Sequence, residues 1–223
     1  MNADQFLSLN APVLDVRSPQ EFLQGHLPGA VSFPLFTGCE RAEVGTAYKR
    51  LGHDEAVRLG LKIVGPKLAS FVEQADALAP PGRSFRIYCW RGGMRSSSMA
   101  WLLSTAGYHC TVLSGGYKSF RKWVFAQLEA PCRLVVLGGL TGSGKTEQLH
   151  ALRLSGEQTI DLEGLANHRG SSFGQLGCPP QPSCEHFSNC LAWELSRLNR
   201  LRTIWVEDES RRIGTCQIPL PFW

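Results

Sequence analysis

One cysteine of the chain lies in a segment that favours ionisation of its thiol. Cys89 follows residues 84–88, an apolar and aromatic run that predicts a short buried strand. Two glycines come next, and the serines and apolar residues of 96–103 predict a capped helix start. Free backbone N–H groups in such a turn, together with the helix dipole, bind anions. We therefore predict that Cys89 is a catalytic thiolate nucleophile; a buried cysteine that only packs is the alternative.

Positive charge surrounds this cysteine. Arg91 and Arg95 lie in the same turn, and we predict that both act in catalysis with Cys89. Residues 81–128 contain seven lysines and arginines but no aspartate or glutamate. This distribution favours anionic substrates, nucleic acid included, although a solvated basic face would have the same composition.

A second anion-binding pattern lies further along the chain. Residues 139–146 follow an apolar run, 133–137, and match the P-loop pattern completely. The backbone of such a loop wraps a diphosphate, its lysine reaches the outer oxygens, and its threonine hydroxyl holds Mg²⁺. The predicted cofactor-binding residues of this loop are Gly139, Gly142, Ser143, Gly144, Lys145 and Thr146.

Two further segments of the second half carry polar residues that could join this site. Residues 203–208 are typical of the acidic strand of P-loop proteins, and we assign the metal to Thr146 and Asp208, with Glu207 as the neighbouring choice. An ordinary acid at a strand end is the alternative. His168 and Arg169 follow a predicted strand, and we assign them to phosphate or tRNA; a surface turn is the alternative.

A zinc site is not predicted for the cysteines of the second half. Cys178, Cys184 and Cys190, with His186, lack the paired Cys-x2-Cys spacing of structural zinc sites. Cys190 also falls on a predicted helix. The role of these cysteines is left unassigned.

The elements that must position these residues alternate between strand and helix, which predicts an α/β fold with mainly parallel sheets. We place one domain at residues 1–129 and a second at 130–223. In the first, the predicted strands are 12–16, 30–33, 84–88 and 111–113, and the predicted helices are 19–24, 40–79 with breaks near 52 and 65, and 117–128. In the second, the run 133–137 predicts a buried parallel strand, and 159–163 predicts another.

Composition narrows the class of protein. The chain has 223 residues, of which 43% are hydrophobic, and no stretch is long enough to span a bilayer. The first residues lack the basic and apolar regions of a secretion signal, and the eight cysteines are irregularly spaced. These features predict a reduced, cytoplasmic compartment and no membrane. The oligomeric state is not predicted.

Residues 15–22 and 25–30 closely resemble the entry motif of rhodanese domains, which carry sulfur or selenium on one cysteine in a loop placed where Cys89 is. The resemblance implies a rhodanese-like domain in which Asp15, Arg17 and Glu21 brace a strand–helix corner, while His26 is a hydrogen-bonded turn residue. The spacing from Cys89 to Arg95 is one residue longer than in the common sulfur-transfer loop. Phosphatase relatives share this spacing, but a roomier loop also suits a selenophosphate donor.

The order of the motifs resembles that of the bacterial tRNA 2-selenouridine synthase family. The agreeing segments are 89–96, 115–118, the P-loop, 168–171 and 205–210. The resemblance implies replacement of sulfur by selenium in wobble 2-thiouridine of tRNA. It also implies an S-geranyl intermediate made from geranyl diphosphate, selenophosphate as the selenium donor, Mg²⁺ at the P-loop, and a selenophosphate-producing enzyme as partner.

Members of that family extend well beyond residue 223, so we expect the P-loop domain to be partial. A partial domain predicts a small second sheet with an exposed apolar edge, whereas five strands closed by a helix would contradict it. Two other functions remain open from the sequence: a sulfurtransferase fused to a P-loop kinase or ATPase, and an inactive fragment that binds tRNA.

Overall fold

The first unit is built on a four-stranded parallel sheet. The computed structural model describes residues 1–78, 83–140, 143–171 and 173–223. The strands are β1 Val13–Asp15, β2 Ala30–Ser32, β3 Ser84–Tyr88 and β4 His109–Val112. Their spatial order is β2-β1-β3-β4, with Leu14 of β1 opposite Val31 of β2 and Ile87 of β3. Because the two central strands have partners on both sides, their apolar residues are buried and form the core.

Helices surround this sheet much as predicted. They are α1 Ala3–Ser8, α2 Pro19–Gln24, α3 Gly38–Leu51, α4 His53–Val64, α5 Leu68–Ala77, α6 Met94–Thr105 and α7 Gly116–Glu129, with a 3₁₀ turn at Gly65–Lys67 before α5. The predicted break at Gly52 is confirmed, since this residue has a φ of +94° between α3 and α4. Ser18 and Glu21 form the capping box that begins α2.

The prediction that serines cap the helix after Cys89 is wrong. Helix α6 begins at Met94, and its N-cap residue Gly93 makes no side-chain capping hydrogen bond. Ser96 therefore lies inside the first turn, where it is fully buried and its hydroxyl oxygen is 3.0 Å from the carbonyl oxygen of Gly93. The turn after Cys89 is tighter than the sequence indicated, so the helix starts two residues earlier.

A buried ion pair braces the corner after β1, as the sequence indicated. Arg17 Nη2 lies 2.6 Å from Asp15 Oδ2 and also donates to the carbonyl oxygen of Gly25. The Tyr88 hydroxyl donates to the same Asp15 oxygen, and the Arg17 guanidinium stacks 3.8 Å from the centre of the Tyr117 ring. The pair thus ties β1, α2, β3 and the start of α7 together.

The second unit contains a smaller parallel sheet. Its elements are β5 Arg133–Leu137, α8 Lys145–Leu154, β6 Gln158–Ile160, α9 Leu162–Ala166, α10 Cys184–Ser196, β7 Thr203–Glu207, β8 Arg212–Ile213 and β9 Cys216–Gln217. In the described residues the parallel sheet has three strands in the order β5-β7-β6, and β8 pairs with β9 as an antiparallel ribbon.

Two predictions for this unit need correction. The run 133–137 is parallel but not buried: β5 pairs with β7 alone, and Val135 and Val136 are 38% and 56% exposed. The exposed apolar edge that we expected is therefore confirmed. The strand predicted at 159–163 ends at Ile160, because the Asp161 side chain accepts from the Gly164 N–H and caps α9.

The two compact units are Met1–Phe120 and Arg121–Trp223, so their division falls within α7. The domain boundary predicted after residue 129 stays a prediction. No helix in the described parts of the chain is both long and apolar enough to cross a membrane.

Candidate active site

Cys89 lies directly after β3, at the carboxyl edge of the first sheet. Its sulfur is 3.2 Å from the Ser96 hydroxyl oxygen and 3.9 Å from the carbonyl oxygen of Gly93. Only 3% of the residue is exposed, so the thiol lies deep in its loop and beside the core. Sequence reasoning assigned Ser96 to a helix cap and missed it as the side chain that contacts the sulfur.

The loop lowers the pKa of the Cys89 thiol. Burial acts in the opposite direction, since it penalises the charged thiolate. The Ser96 hydroxyl, the backbone N–H groups of Ser96 and Arg91, and the positive charge of Arg95 together outweigh burial. Other part-buried thiols lack this arrangement, and burial raises the pKa of Cys190 and that of Cys216 to about 11. The thiolate is thus favoured at Cys89.

The start of α7 holds the Cys89 loop in place. The Tyr117 N–H donates to the Cys89 carbonyl oxygen at 2.8 Å, and the Lys118 N–H donates to the Trp90 carbonyl oxygen at 3.0 Å. Gly116, with a φ of +57°, packs so closely that a β-carbon would overlap the Cys89 carbonyl and lie 2.8 Å from the Arg91 nitrogen. This close approach explains why glycines precede Tyr117 in the sequence.

The two predicted catalytic arginines have different surroundings. Arg95 Nη1 lies 3.0 Å from Glu21 Oε2, so its guanidinium is anchored to α2 while its charge acts on the thiol. Burial raises the pKa of Glu21, but Arg95 and the Ser18 hydrogen bonds lower it overall, which keeps this carboxylate charged. Arg91 acts on the sulfur through its backbone N–H, and its side chain lines a groove beside the loop.

The described part of the predicted P-loop joins β5 to α8. Gly144 is the N-cap of α8 in the left-handed conformation, with φ +80° and ψ +25°. Lys145 Nζ donates to the Gly139 carbonyl oxygen at 3.1 Å and lies 3.9 Å from Glu209 Oε1. A β-carbon on Gly139 would lie 2.6 Å from the Ser143 hydroxyl, so the loop folds back on itself. Gly142 lies outside the described residues.

Acidic side chains gather beside the first turn of α8. The Thr146 hydroxyl donates to Glu163 Oε2 at 3.0 Å, and the Glu163 N–H donates to Glu207 Oε1. Asp208, the predicted metal ligand, is exposed at the end of β7. Glu163 was missed from the sequence because it lies 17 residues from Thr146 on a separate helix.

Among the described residues, no three histidine, cysteine or acidic side chains gather to hold a metal ion, although Thr146, Glu163 and Glu207 offer hydroxyl and carboxylate oxygens. Glu207 Oε2 is buried with no hydrogen-bond partner in the described structure, and burial raises the pKa of Glu207 to about 7, with the nearby Asp161 charge adding to it. Hydroxyl and carboxylate oxygens are the ligands that Mg²⁺ prefers. The magnesium ion assigned to Thr146 and Asp208 therefore stays a prediction.

His168 and Arg169 lie in a loop of the second unit that follows α9. His168 is buried, and its Nδ1 accepts from the Gly170 N–H at 3.1 Å, so the side chain supports its own loop. Arg169 is exposed. Their assignment to phosphate or tRNA stays a prediction. His26 Nδ1 donates to the Phe22 carbonyl oxygen at 2.9 Å, and the ring stacks on the Phe22 ring, as expected for a turn residue.

The cysteines of the second unit form no metal centre among the described residues. Cys190 Sγ lies 3.6 Å from His186 Nε2, while Cys178 and Cys184 each contact a backbone carbonyl oxygen. All eight cysteines are free.

Comparison with known proteins finds a matching family model for each half of the chain. Residues 2–122 match the rhodanese-like domain, and residues 132–223 match the domain described as the tRNA 2-selenouridine synthase AAA domain. A tRNA 2-selenouridine synthase of Pseudomonas fluorescens (strain Pf0-1) is 43% identical over 99% of this chain and 60% of its own length. One of Bordetella bronchiseptica is 43% identical over 94% of this chain and 58% of its own length.

A solved structure also matches. The N-terminal domain of a protein described as ATP/GTP binding, from Clostridium difficile 630, is 40% identical with a TM-score of 0.53. The match covers 56% of this chain and 97% of that domain. The curated relatives described above are longer than this chain, which spans about 60% of their length.

Proposed function

Because the chain belongs to the rhodanese-like family over residues 2–122 and carries the AAA domain of the tRNA 2-selenouridine synthases over 132–223, we propose that it modifies tRNA by selenium transfer. The proposed reaction replaces sulfur by selenium in wobble 2-thiouridine. It uses geranyl diphosphate and selenophosphate, and it takes place in the cytoplasm with a selenophosphate-producing enzyme as supplier.

The P-loop unit is proposed to carry out the first step, geranylation. The thiocarbonyl sulfur of the base attacks the first carbon of the geranyl chain, the carbon–oxygen bond breaks, diphosphate leaves, and the base loses one proton. Lys145, now 3.1 Å from the Gly139 carbonyl oxygen, is able to turn to the diphosphate, and the loop N–H groups bind its oxygens. Bound Mg²⁺ would supply positive charge for the leaving diphosphate, with Thr146 and Asp208 as its protein ligands.

The Cys89 loop is proposed to carry out the second step. Geranylation converts the thiocarbonyl sulfur into a thioether. The selenium of selenophosphate then adds at C2, geranyl thiolate leaves, and water cleaves the selenium–phosphorus bond and releases phosphate. Cys89 serves this step by positioning selenophosphate together with Arg91 and Arg95; a covalent carrier of selenium is the alternative, and it would need a thiol reductant to cleave the sulfur–selenium bond. The observation that carries the proposal is the geometry of the loop, in which the Cys89 sulfur lies 3.2 Å from the Ser96 hydroxyl at the start of α6 while Glu21 anchors Arg95 nearby.

The test is mass spectrometry of nucleosides from tRNA that contains 2-thiouridine, after incubation with geranyl diphosphate, selenophosphate and Mg²⁺. We expect S-geranyl-2-thiouridine and 2-selenouridine with the wild-type chain. Lys145→Ala should weaken geranylation, and Cys89→Ala should abolish selenation but leave geranylation intact. Nucleotide hydrolysis that tRNA does not affect would favour a sulfurtransferase fused to a kinase or ATPase instead. Salt-sensitive tRNA binding without any modified nucleoside would favour an inactive tRNA-binding fragment.

A further inference from the structure

An apolar groove lies against the Cys89 loop. Helices α3 and α4 form one wall of it, and the loop with the first turn of α6 forms the other. Its volume is about 1070 Å³, at the upper end of the range for small-molecule sites, roughly 300–1,000 Å³. The side chains that give the groove its apolar character are Phe36, Val44, Tyr48, Leu61, Trp90 and Met94.

Several of these apolar side chains are exposed to water rather than packed. Leu61 is 66% exposed, Tyr48 59%, Met94 54% and Trp90 38%. Water contact with this much contiguous apolar surface is unfavourable, and such patches commonly mark a binding site. Trp90 and Met94 flank the Cys89 loop and line the groove, so an occupant would lie against the loop that holds the nucleophile.

The charges on the groove are of one sign. Arg41, Lys49, Arg91 and Arg95 line it, and none of the lining residues in the described chain is acidic. Glu21 approaches two of them from outside, at 3.0 Å from Arg95 and 3.9 Å from Arg41. Lys49 and Arg91 form no ion pair within the described ranges, so net positive charge remains. The groove therefore suits a ligand that joins hydrocarbon to an anionic group.

We propose that this groove binds a flexible hydrocarbon chain carried on a phosphate-bearing molecule, and that it holds the chain next to Cys89. The proposal rests on the proposed function in one respect: the chain would be the S-geranyl group of the tRNA intermediate, and the phosphates would be those of the tRNA backbone. On this account the groove receives the apolar half of the leaving group while selenium enters at C2. The two units then have different binding roles, since the first binds hydrocarbon and the second binds diphosphate.

The helix wall offers a variant that fills the groove. A β-carbon on Gly45 meets no other atom within 4 Å, and Gly45 lies in α3, where its replacement also removes a helix-destabilising glycine. Gly45→Leu should therefore fold and occupy the space of the hydrocarbon. Glu43→Leu is the matched control, because Glu43 is exposed on the same helix and does not line the groove.

A second variant changes the chemistry of the groove without filling it. Leu61→Glu removes exposed apolar surface and adds a negative charge to the lining. Its control is Leu23→Glu, because Leu23 is 75% exposed on α2 and outside the groove. Neither change touches a buried side chain, and circular dichroism would verify that both variants fold.

The experiment measures how n-alkyl phosphates protect Cys89 from iodoacetamide, with inorganic phosphate and the butyl, hexyl and octyl esters as probes. We expect the ester concentration that gives half-maximal protection to fall by roughly two- to fourfold for each added methylene, as burial of hydrocarbon predicts. Gly45→Leu and Leu61→Glu should each weaken the protection of Cys89 by octyl phosphate by about tenfold, whereas the two control variants should match wild type. Protection that does not depend on chain length, or that both groove variants leave unchanged, would overturn the proposal.

This readout is independent of turnover. If alkyl phosphates behave as expected but no tRNA nucleoside is modified, the groove stands and the proposed function fails. If tRNA is modified while chain length and both groove variants have no effect, the groove proposal fails alone.

Discussion

The buried carboxyl of Glu207 makes a quantitative prediction about stability. Burial of this side chain, which is 2% exposed, raises its pKa from the ordinary 4.5 to about 7, and the charge of Asp161 adds to the effect. The folded state therefore holds a proton that the unfolded state releases between about pH 4.5 and pH 7. Stability should fall as pH rises through this window, because the unfolded state binds fewer protons there. A shift of one pKa unit corresponds to about 1.4 kcal/mol. Ionisation of Glu207 should therefore lower the free energy of unfolding by on the order of 3 kcal/mol above pH 7.

Glu207→Gln removes this penalty. The amide oxygen still accepts from the Glu163 N–H, and the neutral amide places no charge in this buried position. We expect the variant to match wild type near pH 5 and to exceed it by about 3 kcal/mol at pH 8, without Mg²⁺ or diphosphate present. The free energy of unfolding should be read from hydrogen exchange of β7 amides across the pH range, because these amides report on the sheet that contains Glu207.

The matched control for this experiment is Glu147→Gln, since Glu147 is exposed in the same unit. Its stability should follow the wild-type curve from pH 5 to pH 8. Parallel curves for Glu207→Gln and wild type would refute the reasoning, because they would mean that Glu207 is already ionised in the folded chain at pH 5.

Three further predictions concern the first unit. Arg17→Met should destabilise it by about 3–5 kcal/mol in urea unfolding, because Asp15 would remain buried without its cation. Gly116→Ala should lower stability by at least about 1–2 kcal/mol, since the residue has a φ of +57° and its new methyl group would displace the Cys89 loop. Ser96→Ala should raise the pKa of Cys89 and slow its alkylation at pH 7 by about tenfold, measured as a pH–rate profile, because a hydrogen bond to a charged sulfur is lost.

Each of these has a control within the chain. Gly65→Ala should be tolerated, because a β-carbon there meets nothing within 4 Å and its φ is helical. Ser97→Ala should leave the alkylation of Cys89 unchanged, because Ser97 is exposed. Equal effects of Ser96→Ala and Ser97→Ala would contradict the role given to the Ser96 hydroxyl. Recovery of Arg17→Met by Asp15→Asn would support the buried-charge explanation, and no recovery would count against it.

Local signals in the sequence were enough to predict the motifs, but they were not enough to predict which strand residues are buried. The start of α2 at Pro19 and the break at Gly52 depend on neighbouring residues alone, and both were predicted. The burial of β5 depends on which strands lie beside it, so its apolar residues gave the wrong expectation. An apolar strand at an open edge and one inside a sheet have the same sequence.

The candidate site shows the same difference between features set by neighbouring residues and features set by the fold. Cys89 could be identified because glycines, arginines and serines follow it directly, but its contact with Ser96 depends on where α6 begins. The contact of Thr146 with Glu163 joins two helices that only the fold brings together. The groove was not predicted, because its apolar residues on α3 and α4 have the ordinary spacing of helices that face a core.

The central claim is that Cys89 and Lys145 act in separate steps, and tRNA that is already S-geranylated tests it most directly. Such tRNA would be incubated with selenophosphate and either Cys89→Ala or Lys145→Ala, and 2-selenouridine would be measured by mass spectrometry. The account predicts that Lys145→Ala forms 2-selenouridine at the wild-type rate and that Cys89→Ala forms none. Selenation by Cys89→Ala, or its loss in Lys145→Ala, would contradict it.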